Sequence, residues 1–577
     1  MSNTIPKAFF EVAEISPEKV ALLYKKNGSY CQIKYREVAE KIQSLVFAIS
    51  QLGIKKGSKV AILSENRPEW AMFDLATMSI GGISVPLHIV LCPKVIEYIL
   101  NHCQAEILII SNNDLLEKII LIQNNLPFLK KIIFLDEIKK ENKDKLNKEV
   151  INYNELLAMA GENKLSPLAF QSDDICSIVY TSGTTGLPKG VELSHNNFLS
   201  NVRAVKSAVP VREDDVFLSF LPLSHILERT CGYYIPLLSG ATIAYAESVK
   251  ALLLNLSEVR PTILISAPRI FEKFYEGIWS NTRELSAIKK SIFFWALKQK
   301  EKGLFHILAD ILVFKKIKGK LGGNLRLAVS GGASLDKKIA KFFRKIGILI
   351  LEGYGLTETS PVVAVNKEDD FKFGAVGKPV LEVNVKISQD KEILVKGVNV
   401  MKGYFNDINE TKNAIDLDGW FHTGDLGFVD DDGFLTIIGR KKEMIVTSCG
   451  KNIWPEVIER ELNSAIFIAH SIIIGNNKKF ISALIVPEWE KLKEFLKENN
   501  LSVESPENLV KNEIINKFFG EIIDNANKSF SDYEKIKKFR LVSQEFSQEK
   551  EEITPTLKLR RKTIEENYKK QIEEMYN

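Results

Sequence analysis

Apolar positions in the first 170 residues alternate between two rhythms. From Tyr35 to Leu52, YREVAEKIQSLVFAISQL, they recur every three or four residues, which predicts a helix with one buried face. SKVAILSEN then predicts a short buried strand. Glu69 to Ser79 returns to helical spacing and GGISVPLH to a strand; AEILIIS (105–111) and KIIFLD (131–136) predict two more strands. Helices alternating with buried strands point to parallel-sheet units. Leu75 to Pro93 runs nineteen residues without Asp, Glu, Lys or Arg, but Gly81, Gly82, Pro86 and His88 interrupt it. It reads as a helix end, a turn and a buried strand, not a membrane span.

The same pattern continues from Asp173. DDICSIVYT predicts a strand, and SHNNFLSNVRAVKSAV predicts a helix with Ser194 and His195 near its start. From about 372 to 438, short runs such as VNVKIS, EILVKG and FLTIIG are joined by Gly and Asp turns, which predicts a small β-rich unit. After Arg440 the segments KKEMIVTSCGKNIWPEVIERELN, HSIIIGN and FISALIVP, a long charged helical region and LKLRRK read as a separate α+β domain. No internal repeat or low-complexity segment is evident.

Composition narrows the function classes. At about 150 residues per domain, 577 residues correspond to roughly three or four domain-sized units. The chain carries 78 Lys+Arg against 73 Asp+Glu, a net charge of +5, too small an excess to imply a nucleic-acid partner. Its six cysteines (Cys31, Cys92, Cys103, Cys176, Cys231 and Cys449) form no C-x-x-C pair and are too sparse for a disulfide scaffold, which fits a reducing cytoplasm. The N-terminus lacks the apolar core of a signal peptide.

The chemistry begins at Thr181 to Gly190, TSGTTGLPKG, directly after a predicted strand. Backbone N–H groups, four hydroxyls and the Lys189 ammonium in such a loop suit phosphate oxygens. A P-loop needs G-x-x-x-x-G-K-[ST]; here Gly186 follows Gly183 by three residues and Lys189 precedes Gly190, so that pattern fails. The plain alternative is a Gly-rich turn.

YTSGTTGLPKG resembles the phosphate loop of the acyl-adenylate-forming (AMP-binding) superfamily. LPLSHILER (221–229), SGGASL (330–335), GYGLTET (353–359), GWFHTGD (419–425), IGRKKE (438–443) and TPTLKLRR (554–561) follow in that superfamily's order. LPLSHILERTCGYYIPLLSGATIAYAES, ADILVFKKIKGKLGGNLRLAVSGGASL and TPTLK further resemble the long-chain fatty acyl-CoA synthetase branch. Two departures stand out: Thr556-Leu557-Lys558 replaces the usual Ser-Gly-Lys, and Cys449 in TSCGKNI takes a position where Gly is commoner.

The resemblance implies an α/β fold: a large N-terminal domain (1–440) of two doubly wound α/β subdomains plus a small β-barrel, then a smaller α+β C-terminal domain (441–577) that pivots near Lys442. It implies ATP and Mg²⁺ as reactants and coenzyme A as acceptor. ATP would be held by Thr181, Ser182, Gly183, Thr184, Thr185 and Lys189, by Gly332 and Ala333, and by Gly353, Tyr354 and Gly355. Glu358 is a hard oxygen ligand suited, with Thr184, to Mg²⁺ on ATP. Thr357 would donate to the α-phosphate and Tyr354 stack on adenine. GYGLTET could instead be a loop with a satisfied Glu.

Asp425, after Gly in HTGD, would take both ribose hydroxyls; otherwise it caps a turn. Arg440 would reach ribose or phosphate, or sit in a surface ion pair. His225 would line the place where acyl carboxylate and α-phosphate meet, or be a core histidine with satisfied nitrogens. Tyr233 and Tyr234 could wall an acyl tunnel, although aromatic residues more often belong to the core. Gly450 and Lys451 would line the CoA path, and Lys558 would be the catalytic cation of the adenylation step.

One segment has a charge asymmetry. Lys289 to Lys320 holds nine lysines against Glu301 and Asp310, interleaved with FFWAL and LFHILADILVF. Such a segment suits peripheral contact with an anionic membrane, or else a solvated hairpin packed on its own domain. The expected function is ATP-dependent activation of a long-chain fatty acid through acyl-AMP and transfer to CoA, in the cytoplasm or peripherally at the cytoplasmic membrane face, with oligomeric state open. Three rivals are an acyl-carrier-protein ligase, a non-catalytic lipid-binding scaffold and a P-loop NTPase releasing ADP.

Overall fold

The computed structural model describes residues 3–181, 187–300, 303–499, 501–547, 549–553 and 559–576. The chain divides into two compact units. One comprises Met1–Lys386, Leu394–His422 and Asp430–Leu435; the other comprises Ile387–Ile393, Thr423–Val429 and Thr436–Asn577. The β-rich stretch supplies the strands Val383–Ile387, Glu392–Gly397, Phe421–Val429 and Leu435–Arg440, and the division of the chain falls among them.

The first unit is built on two large sheets. Among the described residues one has eight strands, in the order Gly403–Tyr404, Lys189–Ser194, Ile175–Thr181, Ile83–Leu87, Lys59–Leu63, Ile107–Ile110, Lys131–Phe134, Glu149–Asn152. From Ile175–Thr181 to Glu149–Asn152 the pairings are parallel. The strand Ile107–Ile110 is ILII and buried throughout, as a strand covered on both faces must be. The helix Tyr35–Gln51 buries Val38, Ile42, Leu45, Val46 and Ile49, the face its spacing predicts, and Glu37 accepts the Lys34 N–H at its start. The uncharged stretch from Leu75 resolves as read: the helix Pro68–Ser79, a turn, then the strand Ile83–Leu87.

The second sheet has nine strands: Lys378–Pro379, Val362–Val365, Leu349–Gly355, Leu327–Ser330, Ile263–Ser266, Val216–Ser219, Thr242–Tyr245, Val20–Lys26, Ser29–Lys34. Its interior pairs, from Leu349–Gly355 to Val20–Lys26, are parallel. Parallel strands place their carboxyl ends on one edge, and open α/β sheets bind ligands along that edge.

The other unit centres on a three-stranded sheet, Ile468–Ile474, Ile481–Pro487 and Ile536–Leu541. Alternation sorts its side chains. Ile481, Ala483 and Ile485 join a core with the helices Pro455–Asn463, Trp489–Glu498 and Glu513–Asn527; Leu484 and Val486 join another with Ile564, Ile572 and Met575. Among the described residues no helix is long and apolar enough to cross a membrane.

Candidate active site

The motifs of the first unit gather at carboxyl ends of strands. Thr181 closes the strand Ile175–Thr181 and pairs in register with Lys189, so the phosphate-loop candidate is pinned at both ends. Ser182, Gly183, Thr184 and Thr185 lie outside the described residues. The Lys189 ammonium is ion-paired with Glu410 and lies 5.2 Å from the Tyr404 ring centre. The Tyr404 hydroxyl donates to Glu358 Oε1 at 2.9 Å. Burial, and next the Glu358 charge, push the Tyr404 phenol far above its ordinary pKa, so it stays a donor. One tyrosine therefore joins the loop lysine to the carboxylate expected to serve Mg²⁺. Tyr404 is held there because Gly403–Tyr404 pairs with the strand that carries Lys189. Nothing in MKGYFND distinguishes this tyrosine from the others.

Gly332 and Ala333 follow the strand Leu327–Ser330, and GYG ends its parallel neighbour Leu349–Gly355. Ser330 pairs with Glu352, so the positions two beyond each are Gly332 and Tyr354. Gly332 has φ +84° and open space where a Cβ would be, a conformation glycine adopts without strain. Gly355 answers a different demand: a Cβ there would lie 1.8 Å from the Pro361 carbonyl oxygen, so the protein's own backbone requires this glycine. The buried Glu352 carboxylate accepts the N–H groups of Leu335 (3.3 Å) and Gly374 (3.1 Å), tying SGGASL to the strand Leu349–Gly355. Thr357 and Glu358 form a single 3₁₀ turn, Thr357–Thr359. The Thr230 hydroxyl donates to the Ser360 carbonyl at 3.0 Å, so the residue that follows LPLSHILER is tied to the one that follows GYGLTET.

His225 sits where ends of the two sheets meet. Asn66, just past the strand Lys59–Leu63, donates to Ser219 Oγ and the Leu221 carbonyl and accepts the Leu223 N–H. His88, just past Ile83–Leu87, lies 2.6 Å from the Ser224 hydroxyl, and its ring centre is 6.3 Å from that of His225. Burial depresses the His88 pKa to about 4, so that ring is neutral near pH 7. The His225 Nδ1 accepts the Leu227 N–H at 3.3 Å, which leaves the proton on Nε2. The residues that follow are core. Arg229 is fully buried and ion-paired with Asp74; Tyr234 donates to Asp74 at 2.8 Å and Tyr233 to the Ala71 carbonyl at 3.0 Å. Both tyrosines thus follow the core alternative.

In the other unit Asp425 is buried on the strand Phe421–Val429, and Arg440 Nε lies 3.1 Å from its Oδ1. Arg440 thus pairs with the residue expected to share its ligand. Glu456 stands nearby, its pKa raised to about 7, first by burial and then by the charges of Glu443, Glu459 and Asp425. Gly450 (φ +72°) and the exposed Lys451 lie at the turn between the short paired strands Ile445–Val446 and Asn452–Ile453, with the Lys451 ammonium 5.6 Å from the Tyr533 ring centre. Lys441, beside the expected pivot Lys442, pairs with Asp390 at 2.7 Å and Glu392 at 3.0 Å.

Lys558 lies outside the described residues, but both flanks are anchored. Ile553 and Leu559 form an antiparallel bridge. The buried Glu552 accepts from the Ser547 N–H and the Asn567 amide, and Arg561 makes a two-pronged ion pair with Glu459 at 2.7 and 2.9 Å. Neither Glu552 nor Arg561 announces this role in the sequence, because their partners are supplied by folding.

The family model of the AMP-binding enzymes matches residues 9–405, and that of the AMP-binding enzyme C-terminal domain matches 442–577. The chain belongs to the AMP-binding enzyme family. Over its whole length it is 33% identical to the long-chain-fatty-acid–CoA ligase FadD15 of Mycobacterium bovis, covering 97% of that protein. It is 31% identical to fatty acyl-CoA synthetase A of Dictyostelium discoideum, across 96% of this chain and 86% of the relative. Among solved structures, the anthranilate CoA ligase AuaEII with anthranoyl-AMP superposes with a TM-score of 0.78 at 21% identity, over 99% of this chain and 98% of that one. ATP-bound MatB of Rhodopseudomonas palustris gives 0.72 at 21%, over 99% of both chains. The fold is thus shared with an anthranilate CoA ligase, whereas the two sequence relatives are both named for fatty acids.

Proposed function

We propose that this enzyme is a cytoplasmic ATP-dependent long-chain fatty acid–CoA ligase. The observation that carries the reading is the Lys189–Tyr404–Glu358 arrangement, which brings a phosphate-loop cation and a carboxylate to one place from distant parts of the chain. Sequence relatives named for fatty acids supply the substrate class.

In the first step the fatty carboxylate oxygen attacks the α-phosphorus of ATP, and the bond to the β-phosphate oxygen breaks to release pyrophosphate. In the second the CoA thiol, losing its proton, attacks the acyl carbon and AMP leaves. Lys189 and the N–H groups of its loop bind phosphate oxygens; Gly332 leaves room beside Tyr354 for the adenine; Asp425 and Arg440 hold the ribose. His225, with its proton on Nε2, donates toward the incoming carboxylate or the α-phosphate. Lys558 bridges the two reacting anions after closure of residues 441–577 about a pivot near Lys442, and Gly450 and Lys451 line the thiol's path in the other pose.

Among the described residues no group of three or more His, Cys, Asp or Glu could cage a metal, whereas one carboxylate suits an ion that arrives on phosphate. Glu358, with Thr184, would hold Mg²⁺ on ATP. The ion supplies charge neutralisation on the phosphates when bound.

The test is product analysis with octanoate, palmitate and oleate, each offered CoA or a holo-acyl carrier protein. AMP and acyl-CoA, with palmitate or oleate preferred, are expected. Thioester only on carrier protein would favour the carrier-protein ligase. ADP release, or no ATP–pyrophosphate exchange with any acid, would overturn the reading.

A further inference from the structure

We propose that the outer face of the helical segment from Leu304 to Lys320 docks on an anionic lipid bilayer. The segment runs through Leu304–Ala309, Asp310–Phe314 and Lys315–Lys320, and it has two apolar faces. The inner face, Ala309 and Phe314 with Val313 and Ile317 beside them, packs into the core of the nine-stranded sheet. That face meets what the fold requires. The outer face repeats the helical spacing with Leu304, Ile307, Leu308, Ile311 and Leu312, all exposed, Leu304 by 74%; Phe305 beside them is 61% exposed. The helix Ala287–Lys298, which packs against this segment, adds exposed Ile288 and Phe294. Scattered surface leucines need no explanation, but a stripe at helical spacing marks a surface that meets something apolar.

Charge identifies the partner. Lys315, Lys316 and Lys320 stand exposed at one end of the stripe, and Lys298 and Lys300 are exposed on the preceding helix and just beyond it. Asp310, the acid within the stripe, is tied to Lys318 at 2.7 Å. An apolar ridge edged by those exposed lysines, none of them ion-paired among the described residues, complements acyl chains below a layer of lipid phosphates. A second copy fits less well, because apposing this face on itself would bring the same lysines together. The sequence left two alternatives for this segment, lipid contact or a hairpin packed on its domain; the two faces accommodate both. The purpose of the surface rests on the fatty-acyl reading, since such acids partition into bilayers, but its test does not.

The experiment is sedimentation of the full chain with vesicles of phosphatidylcholine alone or with phosphatidylglycerol added, without nucleotide or acid. Binding to the phosphatidylglycerol vesicles, weakening as salt rises, is expected. K315Q/K316Q/K320Q should weaken it by about 10²-fold at low salt, given the usual contribution of each basic residue near an anionic surface. L308D/I311D should abolish binding while leaving the melting temperature and ATP–pyrophosphate exchange with octanoate unchanged. If the aspartate pair does not fold, the lysine series decides alone. Absent or salt-insensitive binding by the parent overturns the proposal. So does parental vesicle binding by either variant, including an aspartate pair that merely turns a dimer into a monomer. Vesicle binding with no ligase activity would strike the fatty-acyl reading and leave this surface standing.

Discussion

The Tyr404 hydroxyl is hydrogen-bonded to the Glu358 carboxylate at 2.9 Å, across 46 residues of sequence. A hydrogen bond to a charged acceptor is worth about 1.5–3 kcal/mol. Tyr404→Phe should therefore slow ATP–pyrophosphate exchange by roughly 10- to 10²-fold, with the loss shrinking as Mg²⁺ is raised. Exchange at the parental rate across a Mg²⁺ titration would remove Tyr404 from the site.

If Lys189 binds phosphate as proposed, Glu410 competes with the nucleotide for its ammonium. Their ion pair is partly exposed, with side chains 29% and 42% accessible, so it is worth at most about 1 kcal/mol. Glu410→Gln should leave folding intact and tighten ATP binding by no more than about 5-fold, whereas Lys189→Met should weaken it. Weaker ATP binding in both variants, measured by calorimetry, would mean the pair itself shapes the site.

Asp425 offers a direct test of the ribose assignment. It is buried and paired with Arg440, so Asp425→Asn, which keeps the shape and removes the charge, is the informative change. Losing charge-assisted bonds to two hydroxyls should cost on the order of 2–3 kcal/mol of ATP affinity. Equal calorimetric affinity in mutant and parent would leave Asp425 a partner of Arg440 only.

Glu228, in LPLSHILER, carries a pH dependence. Its carboxyl is buried against Gly232, where a Cβ would lie 2.4 Å from Oε1. Burial raises its pKa to about 8, only partly offset by the Ser219 hydroxyl, against an ordinary value of 4.5. The folded chain thus holds one more proton than the unfolded chain between those values. The stability this proton contributes is complete below 4.5 and is lost as pH rises through 8. Glu228→Gln should melt like the parent near about pH 4 and increasingly higher than it as pH rises, with the widest gap near about pH 9. Parallel pH profiles would show that this carboxyl is not protonated in the fold.

Much of the architecture was legible because it rests on local periodicity. Tyr35 to Leu52 was expected as a helix and spans Tyr35–Gln51; SHNNFLSNVRAVKSAV forms the helix His195–Ala208 with Ser194 as its cap. AEILIIS was expected as a strand and supplies Ile107–Ile110, which is buried throughout. The motifs located the loops at the strand ends. What stayed hidden depends on partners far away in sequence: Tyr404 on Glu358, Asn66 on the Ser219 loop, Glu352 on Leu335 and Gly374, and Arg561 on Glu459. Each is an ordinary polar residue until folding supplies its neighbour. The second apolar face of Leu304–Lys320 was hidden differently, because a sequence does not say which of two stripes the core will take.

The flanks of Lys558 are fixed within residues 441–577 by the Ile553–Leu559 bridge and by Arg561 on Glu459. On the proposed two-pose reading, Lys558 meets the reacting phosphate only after closure of residues 441–577. A flexible ammonium suits two anions whose charge shifts during attack, whereas thiol attack on a finished acyl-AMP makes less demand on it. Lys558→Ala should therefore slow adenylation by about 10²–10³-fold, the size of one electrostatic stabiliser. Supplied acyl-AMP and CoA should still give acyl-CoA at near-parental rate. Arg561→Met, which frees one flank and leaves Glu459 unpaired, should lower adenylation less than Lys558→Ala and also lower the melting temperature. Equal losses in both half-reactions for Lys558→Ala would sink the two-pose account, and no loss in either would move the search to Arg560 and Lys562.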